Sequence, residues 1–246
     1  MRVEAQVLST RATLKIEDIA KMIDHSLLRP DITQAELIEG LRMAAQHQVA
    51  TTCVRPYDIK IAKQELAGTG VLVSTALAFP HGASTTQVKV FEVEKAMDEG
   101  AKELDVVLAI GKLMSGDFDY VEQELRAVVE VAHARSAVVK VIFENCFLTS
   151  AQIVQACRIC EAVGADYVKT STGYGPGGAK LEDVTLMRKS CSPKVAVKAA
   201  GGIRTLDHLL QFRAAGAKMI GTRSTQVILE EAAKRAKEGT LREVTL

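Results

Sequence analysis

Short, β-branched, nearly continuous apolar runs alternate with longer amphipathic stretches along this chain. Eight runs stand out: KMIDHS (21–26), VATTCVRP (49–56), VLVSTALAFP (71–80), ELDVVLAI (103–110), VVKVIFENC (138–146), YVKTST (167–172), VAVKAA (195–200) and MIGTRS (219–224). Between them, stretches such as TQAELIEGLRMAAQHQ, STTQVKVFEVEKAMDEG and YVEQELRAVVEVAHA repeat apolar residues at helical spacing. That spacing gathers the apolar side chains on one helix face. Strand–helix alternation predicts parallel strands joined by right-handed crossovers. Strands apolar on both sides fit a sheet covered on both faces.

A weak internal repeat agrees. EGAKELDVVLA, VGADYVKTS and AGAKMIGTR each place a glycine, Gly100, Gly164 or Gly216, where a helix ends and a strand restarts. A glycine there takes the left-handed conformation without a Cβ clash. Eight such units in 246 residues predict an α/β protein with one (β/α)8 TIM barrel domain spanning residues 1–246. Residues 1–18 are expected to form a short N-terminal helical extension that caps the barrel. The alternative is an open doubly wound sheet. Against it, no strand-to-helix turn carries a full dinucleotide fingerprint, and GYGPGG follows the sixth run rather than the first.

Charge and composition then exclude several classes. The net charge is +1, Trp is absent and aromatics are 4%, so neither a nucleic-acid partner nor a membrane surface is expected. The opening stretch MRVEAQVLSTRATLKIEDIAKMID is charged throughout and lacks the apolar core of a signal peptide. No run approaches the roughly 18 apolar residues of a membrane span. A soluble, cytoplasmic protein is expected. Five cysteines, an odd number, argue against a disulfide framework. Cys157 and Cys160 form a CxxC inside a helical pattern with no second thiol pair, so they read as core residues.

In a parallel barrel, chemistry gathers at the C-terminal ends of the strands. The polar residues there are Asp24, Cys53, Ser74, Asp105, Lys140, Glu144, Lys169, Lys198 and the 222–224 segment. Lys169 and Lys198 each end an apolar run and precede glycines, on strands expected to be neighbours about 4.8 Å apart. Burial and a second nearby cation disfavour protonation of one amine, which then becomes a carbonyl nucleophile. Asp105 can supply the carboxylate that such chemistry needs for proton transfer. The alternative is a structural ion-pair network without catalysis. Glu144 is expected to pair with Lys140 or Lys169, and Cys53 to be a packed thiol near the site. Gly201, Gly202 and Gly221 are expected to offer backbone N–H groups to a phosphate, with Arg223 or Arg204 adding charge. A phosphate site beside a nucleophilic lysine points to a phosphorylated aldehyde or ketone. His25 and His81 lack a third ligand at metal spacing, so no metal or other cofactor is expected.

The stretches MIDHSLLRPDIT, ELDVVLAIGKLMSGD, VKVIFENCFLT, YVKTSTGYGPGGAKLEDVTLMR and VAVKAAGGIRT occur in order over about residues 20–225. Together they resemble the deoxyribose-phosphate aldolase family, class I aldolases built on a (β/α)8 barrel. The resemblance implies reversible cleavage of 2-deoxy-D-ribose 5-phosphate to D-glyceraldehyde 3-phosphate and acetaldehyde. It implies that Lys169 forms the Schiff base, that Lys198 depresses the Lys169 pKa, and that Asp105 assists proton transfer. It places Gly173, Gly201, Gly202 and Ser224 near the substrate phosphate and Asp24 in a polar network below the site. It also suggests a homodimer or tetramer. Three residues depart from the family pattern: Ala200 where Ser is frequent, Arg223 where a small hydroxyl residue is usual, and Lys180 in place of Thr. All three bear on the phosphate end. The remaining alternatives are a Schiff-base aldolase for another phosphosugar and a phosphosugar-binding barrel without turnover.

Overall fold

Eight parallel strands close into a barrel in chain order in the computed structural model, which describes residues 12–246. They are β1 (Ile23–Leu27), β2 (Thr51–Val54), β3 (Leu72–Leu77), β4 (Glu103–Val107), β5 (Val138–Ile142), β6 (Tyr167–Lys169), β7 (Ala196–Ala200) and β8 (Ala217–Thr222). The pairing Asp24↔Gly221 between β1 and β8 closes the ring and excludes the open sheet. The helices are α1 (Ile16–Ala20), α2 (Gln34–Gln46), α3 (Ile59–Glu65), α4 (Thr86–Glu99), α5 (Ile110–Met114), α6 (Phe118–His133), α7 (Ser150–Val163), α8 (Leu181–Ser190), α9 (Leu206–Ala214) and α10 (Thr225–Lys237). Of the expected N-terminal extension, residues 1–11 lie outside the described residues. The remainder includes the start of α1, which packs against α10.

Local chemistry sets the helix ends. Thr33 and Glu36 form a reciprocal capping box at the start of α2, and Thr149 and Gln152 do so for α7. Gly164 ends α7 at φ +79°, a conformation that favours glycine. Side chains that leave the barrel outward, such as Leu104, Val106, Val139, Val141 and Val197, form the core under the helices. Many inward positions are small, polar or charged. The register Ala76↔Asp105↔Lys140↔Tyr167↔Ala196 makes one layer, and Ile142↔Lys169↔Lys198 lies one step nearer the C-terminal mouth.

Six predicted runs overshoot the observed strands, which stop at Val54, Leu77, Val107, Ile142, Lys169 and Thr222. Left-handed backbone at Ala78 (φ 50°) and Glu144 (φ 57°) turns the chain out of the ladder. The apolar pattern persists beyond the strands because Leu108, Phe143 and their neighbours remain fully buried at the barrel top. Burial keeps those positions apolar after the strand hydrogen bonds have ended.

Behind β4, Lys89 on α4 and Glu124 on α6 form a fully buried pair at 2.8 Å. Lys89 Nζ donates to the Val107 carbonyl at 2.8 Å, and Glu124 accepts from Ala109 N at 3.0 Å. The pair clasps the segment where β4 leaves the barrel. Burial pulls the lysine pKa down and pushes the glutamate pKa up. Removing one partner leaves a buried, uncompensated charge. Lys89→Met alone is therefore expected to cost about 3–5 kcal/mol. Combining it with Glu124→Gln, which keeps an acceptor for Ala109 N, is expected to cost less. Urea unfolding of both variants checks this; a double variant no more stable than the single one refutes it.

Candidate active site

Asp105, fully buried on β4, gathers three ammonium groups from three different strands. Its Oδ1 accepts from Lys140 Nζ at 2.7 Å and from Ser74 Oγ at 3.4 Å. Its Oδ2 accepts from Lys169 Nζ at 2.6 Å and also from Lys198 Nζ. Lys198 donates in addition to Asp24, and Lys140 reaches Glu103 at 2.7 Å. Lys169 and Lys198 thus meet on one carboxylate oxygen, as their register across β6 and β7 requires.

These partners separate the three lysines. Burial depresses every ammonium, but Lys140 faces Asp105, Asp24 and Glu103, whose charges lift its pKa well above the ordinary lysine value. Lys198, between Asp105 and Asp24, is also raised against burial. Lys169 has one hydrogen-bonded carboxylate; burial and the Lys198 charge outweigh it, and its pKa falls below the ordinary value. The three ammoniums overcome the burial of Asp105 and hold its carboxyl well below the usual range. The site therefore contains an ionised acid, two firmly protonated lysines and one lysine shifted towards the neutral amine.

Lys169 and Lys198 open onto a pocket of about 250 Å³ at the C-terminal mouth. Asp24 and Cys53 line it too. Every glycine assigned to phosphate binding does so as well: Gly173, Gly201, Gly202 and Gly221, together with Arg223 and Ser224. Gly173, Gly201 and Gly202 have φ of 84°, 90° and 82°. The loops after β6 and β7 touch backbone to backbone: Ala179 N donates to the Gly201 carbonyl at 3.1 Å. A Cβ at Gly178 would lie 2.4 Å from that same oxygen. β8 ends at Thr222, so Arg223 and Ser224 belong to the turn into α10, with Ser224 as its N-cap. The Ser224 side chain makes no capping bond, and Arg223 makes neither a hydrogen bond nor an ion pair among the described residues. Arg29, by contrast, pairs with Asp31 through Nε–Oδ1 at 2.8 Å.

One expected contact is corrected. Glu144 does not pair with Lys140 or Lys169. It is buried and accepts from Thr172 N at 3.2 Å and from Thr172 Oγ1, so it anchors the loop after β6. Its backbone is left-handed (φ 57°) and lies past the end of β5, where strand alternation no longer holds. Cys53 is a buried thiol whose pKa burial and the carboxylates of Asp24 and Asp105 push up to about 12. His25 is buried with Nδ1 2.9 Å from Thr225 Oγ1, and burial brings its pKa down to about 4. Donor atoms of Asp24, Cys53 and Asp105 lie within 4.8 Å of one another. The Lys198 ammonium already bridges the two carboxylates, so no metal is assigned to them.

Four polar pocket residues escaped the sequence reading: Ser26, Arg29, Thr172 and Tyr174. Ser26 shares inward parity with Asp24, a signal that was available. The others lie on loops, where strand parity gives no direction. Glu103, the second partner of Lys140, was also missed although it shares parity with Asp105.

A family model described as DeoC/LacD family aldolase matches residues 19–225. The chain is 46% identical over 224 residues to the deoxyribose-phosphate aldolase of Rhodopirellula baltica, covering 91% of this chain and 93% of that one. It is 49% identical over 217 residues to the deoxyribose-phosphate aldolase of Thermococcus gammatolerans, covering 87% and 96%. The tetrameric deoxyribose phosphate aldolase from Aeropyrum pernix superposes with a TM-score of 0.82 at 31% identity, over 88% of this chain and 92% of that one.

The electrostatics make the Lys198 charge testable. Removing it in Lys198→Met takes a cation from beside Lys169, so the Lys169 pKa rises and less neutral amine exists at a given pH. The ascending, acidic limb of kcat/KM is expected to move to higher pH, with a loss of roughly 10²-fold or more near neutrality. An ascending limb that stays in place refutes the assignment.

Proposed function

Since this chain belongs to the DeoC/LacD aldolase family and cleaves deoxyribose phosphate by a retro-aldol reaction as a class I lyase, we propose that Lys169 carries the reaction as a Schiff base. The supporting observation is that Lys169 is the only one of the three clustered lysines whose pKa is lowered, and it faces the pocket. In this reading, neutral Lys169 Nζ attacks C1 of open-chain 2-deoxy-D-ribose 5-phosphate. The carbinolamine loses water to an iminium. The C2–C3 electron pair then flows into the iminium as the C3 hydroxyl loses its proton, and D-glyceraldehyde 3-phosphate departs. Protonation at C2 and hydrolysis release acetaldehyde and the free lysine.

Asp105 touches Lys169 Nζ and assists the proton transfers at the carbinolamine, while Lys198 links Asp105 to Asp24. Asp24 Oδ1 has no protein partner among the described residues, so it is free to accept from a substrate hydroxyl or a water. Lys140 and Glu103 support Asp105 from below, and Cys53 stays a neutral wall. No metal is needed, because the iminium is the electron sink.

The phosphate is assigned to the N–H groups of Gly173, Gly201, Gly202 and Gly221, the Ser224 hydroxyl and the N-terminus of α10. Arg223 adds an exposed guanidinium at the rim. An assembly of identical chains is part of the same reading: the A. pernix relative is a tetramer, and Tyr57 and Phe91 leave apolar surface 70% and 65% exposed. So is a cytoplasmic role in deoxyribonucleotide breakdown; no helix among the described residues is long and apolar enough to cross a membrane.

Borohydride added with acetaldehyde is expected to fix the adduct on the peptide carrying Lys169. Mass mapping that finds it on Lys198 or Lys140 overturns the role. For Arg223→Ser, KM for deoxyribose 5-phosphate is expected to rise roughly tenfold or more, since a charge-assisted hydrogen bond contributes about 1.5–3 kcal/mol. kcat should change little, and so should KM for unphosphorylated deoxyribose. Equal effects on both sugars, or none, remove Arg223 from the phosphate site.

A further inference from the structure

One buried carboxyl group takes no part in the lysine array. Glu144 is 2% exposed, and among the described residues no cation pairs with it. Its backbone is left-handed at φ 57°, a conformation that a residue with a Cβ keeps only where its surroundings fix it. The surroundings do so from both sides. Phe143 N donates to the Lys169 carbonyl at 3.0 Å, and Asn145 N donates to the Thr170 carbonyl at 2.9 Å. Glu144 therefore stands beside the point where β6 gives way to the loop that lines the pocket.

We propose that Glu144 is a positioning residue for phosphate recognition, holding Gly173 and Tyr174 in place through Thr172. The role rests on the assignment of the substrate phosphate to the Gly173 and Gly201–Gly202 loops. Thr172 N donates to Glu144 Oε1 at 3.2 Å, and Thr172 Oγ1 donates to Glu144 Oε2. The same hydroxyl oxygen accepts from Tyr174 N at 3.0 Å. Gly173 lies between these two residues and lines the pocket at φ 84°. A glycine has the widest choice of backbone conformations, so its N–H keeps a fixed aim only when its neighbours are tied. One carboxylate ties both: Thr172 directly, and Tyr174 through the Thr172 hydroxyl.

The rest of the loop is seated on the same support. A Cβ at Gly175 would lie 3.0 Å from Glu144 Cδ, and one at Gly177 would lie 2.9 Å from Cys146 Cβ. Gly178 then packs on the Gly201 carbonyl. The segment from 172 to 178 is thus held between the chain that follows β5 and the loop that follows β7. Tyr174 also sets its ring edge-on to Phe79, with centroids 5.3 Å apart. Glu144 shares no hydrogen bond or ion pair with Lys140, Lys169 or Lys198, so its loss leaves their carboxylate partners in place. Without it, the phosphate must order the Gly173 turn as it binds, and that ordering weakens the binding of phosphorylated substrate in particular.

The test compares the wild type with Glu144→Ala, Glu144→Gln and Thr172→Val. It reads kcat and KM for deoxyribose 5-phosphate and for unphosphorylated deoxyribose, competition by inorganic phosphate, and borohydride trapping with acetaldehyde. In Glu144→Ala the ratio of kcat/KM between the two sugars is expected to fall roughly tenfold or more, since two hydrogen bonds to a carboxylate are lost. The fall should come mainly from KM for the phosphorylated sugar, and phosphate should compete correspondingly less well. Glu144→Gln keeps an acceptor for Thr172 N and can donate to Thr172 Oγ1, so it should hold the ratio within a few-fold of the wild type. Thr172→Val removes the linking hydroxyl and should lower the ratio as Glu144→Ala does. Trapping at Lys169 should persist in all three variants. Equal losses on both sugars, or none, in Glu144→Ala or in Thr172→Val that still traps acetaldehyde overturn the positioning role. A wild-type enzyme that neither prefers the phosphorylated sugar nor responds to phosphate overturns the phosphate assignment itself, and the role with it.

Discussion

Everything at this site depends on keeping charge balanced where water is excluded. Three lysines and three carboxylates point into the barrel: Lys140, Lys169 and Lys198 with Asp24, Glu103 and Asp105. A single unpaired ion in such a place costs several kcal/mol. The array is tolerable only as a whole, and Asp105 is the member that touches all three cations. Because its partners come from β5, β6 and β7, and Asp24 from β1, the array exists only once the barrel is closed. The β1–β8 pairing that finishes the ring also brings Asp24 to Lys198.

The division of labour among the lysines follows from an uneven sharing of carboxylates rather than from differences in burial. All three are at most 3% exposed. Lys140 and Lys198 each hold two carboxylates, and Lys169 shares the oxygen of Asp105 that Lys198 also uses. The shared oxygen supports Lys169 weakly enough for desolvation to prevail. Beyond the barrel axis, Lys89 and Glu124 obey the same rule with one pair and lie outside the pocket.

Strand number, order and the inward face were legible in the sequence because period-two parity and continuous apolar runs survive in a covered parallel sheet. Lys169, Lys198 and Asp105 could be picked out because a charge at the end of such a run has few physical excuses. Parity failed where the backbone left the ladder. Glu144 sits in the left-handed region, so its side chain serves Thr172 and not a lysine. Arg29 and Tyr174 reach the pocket from loops whose course no periodicity encodes. The CxxC read correctly as helix core, with Cys157 and Cys160 both fully buried.

The contact between Gly178 and the Gly201 carbonyl has a consequence for how this pocket can evolve. Backbone packs directly on backbone there, beside the pocket residue Gly201, with no room for a side chain at 178. Variation there would displace the β7 loop and degrade folding and catalysis together. The turn between β8 and α10 carries no such constraint. Arg223 is exposed on that turn and makes neither a hydrogen bond nor an ion pair among the described residues. A change at position 223 therefore breaks no hydrogen bond of the scaffold among the described residues and leaves the lysine array untouched.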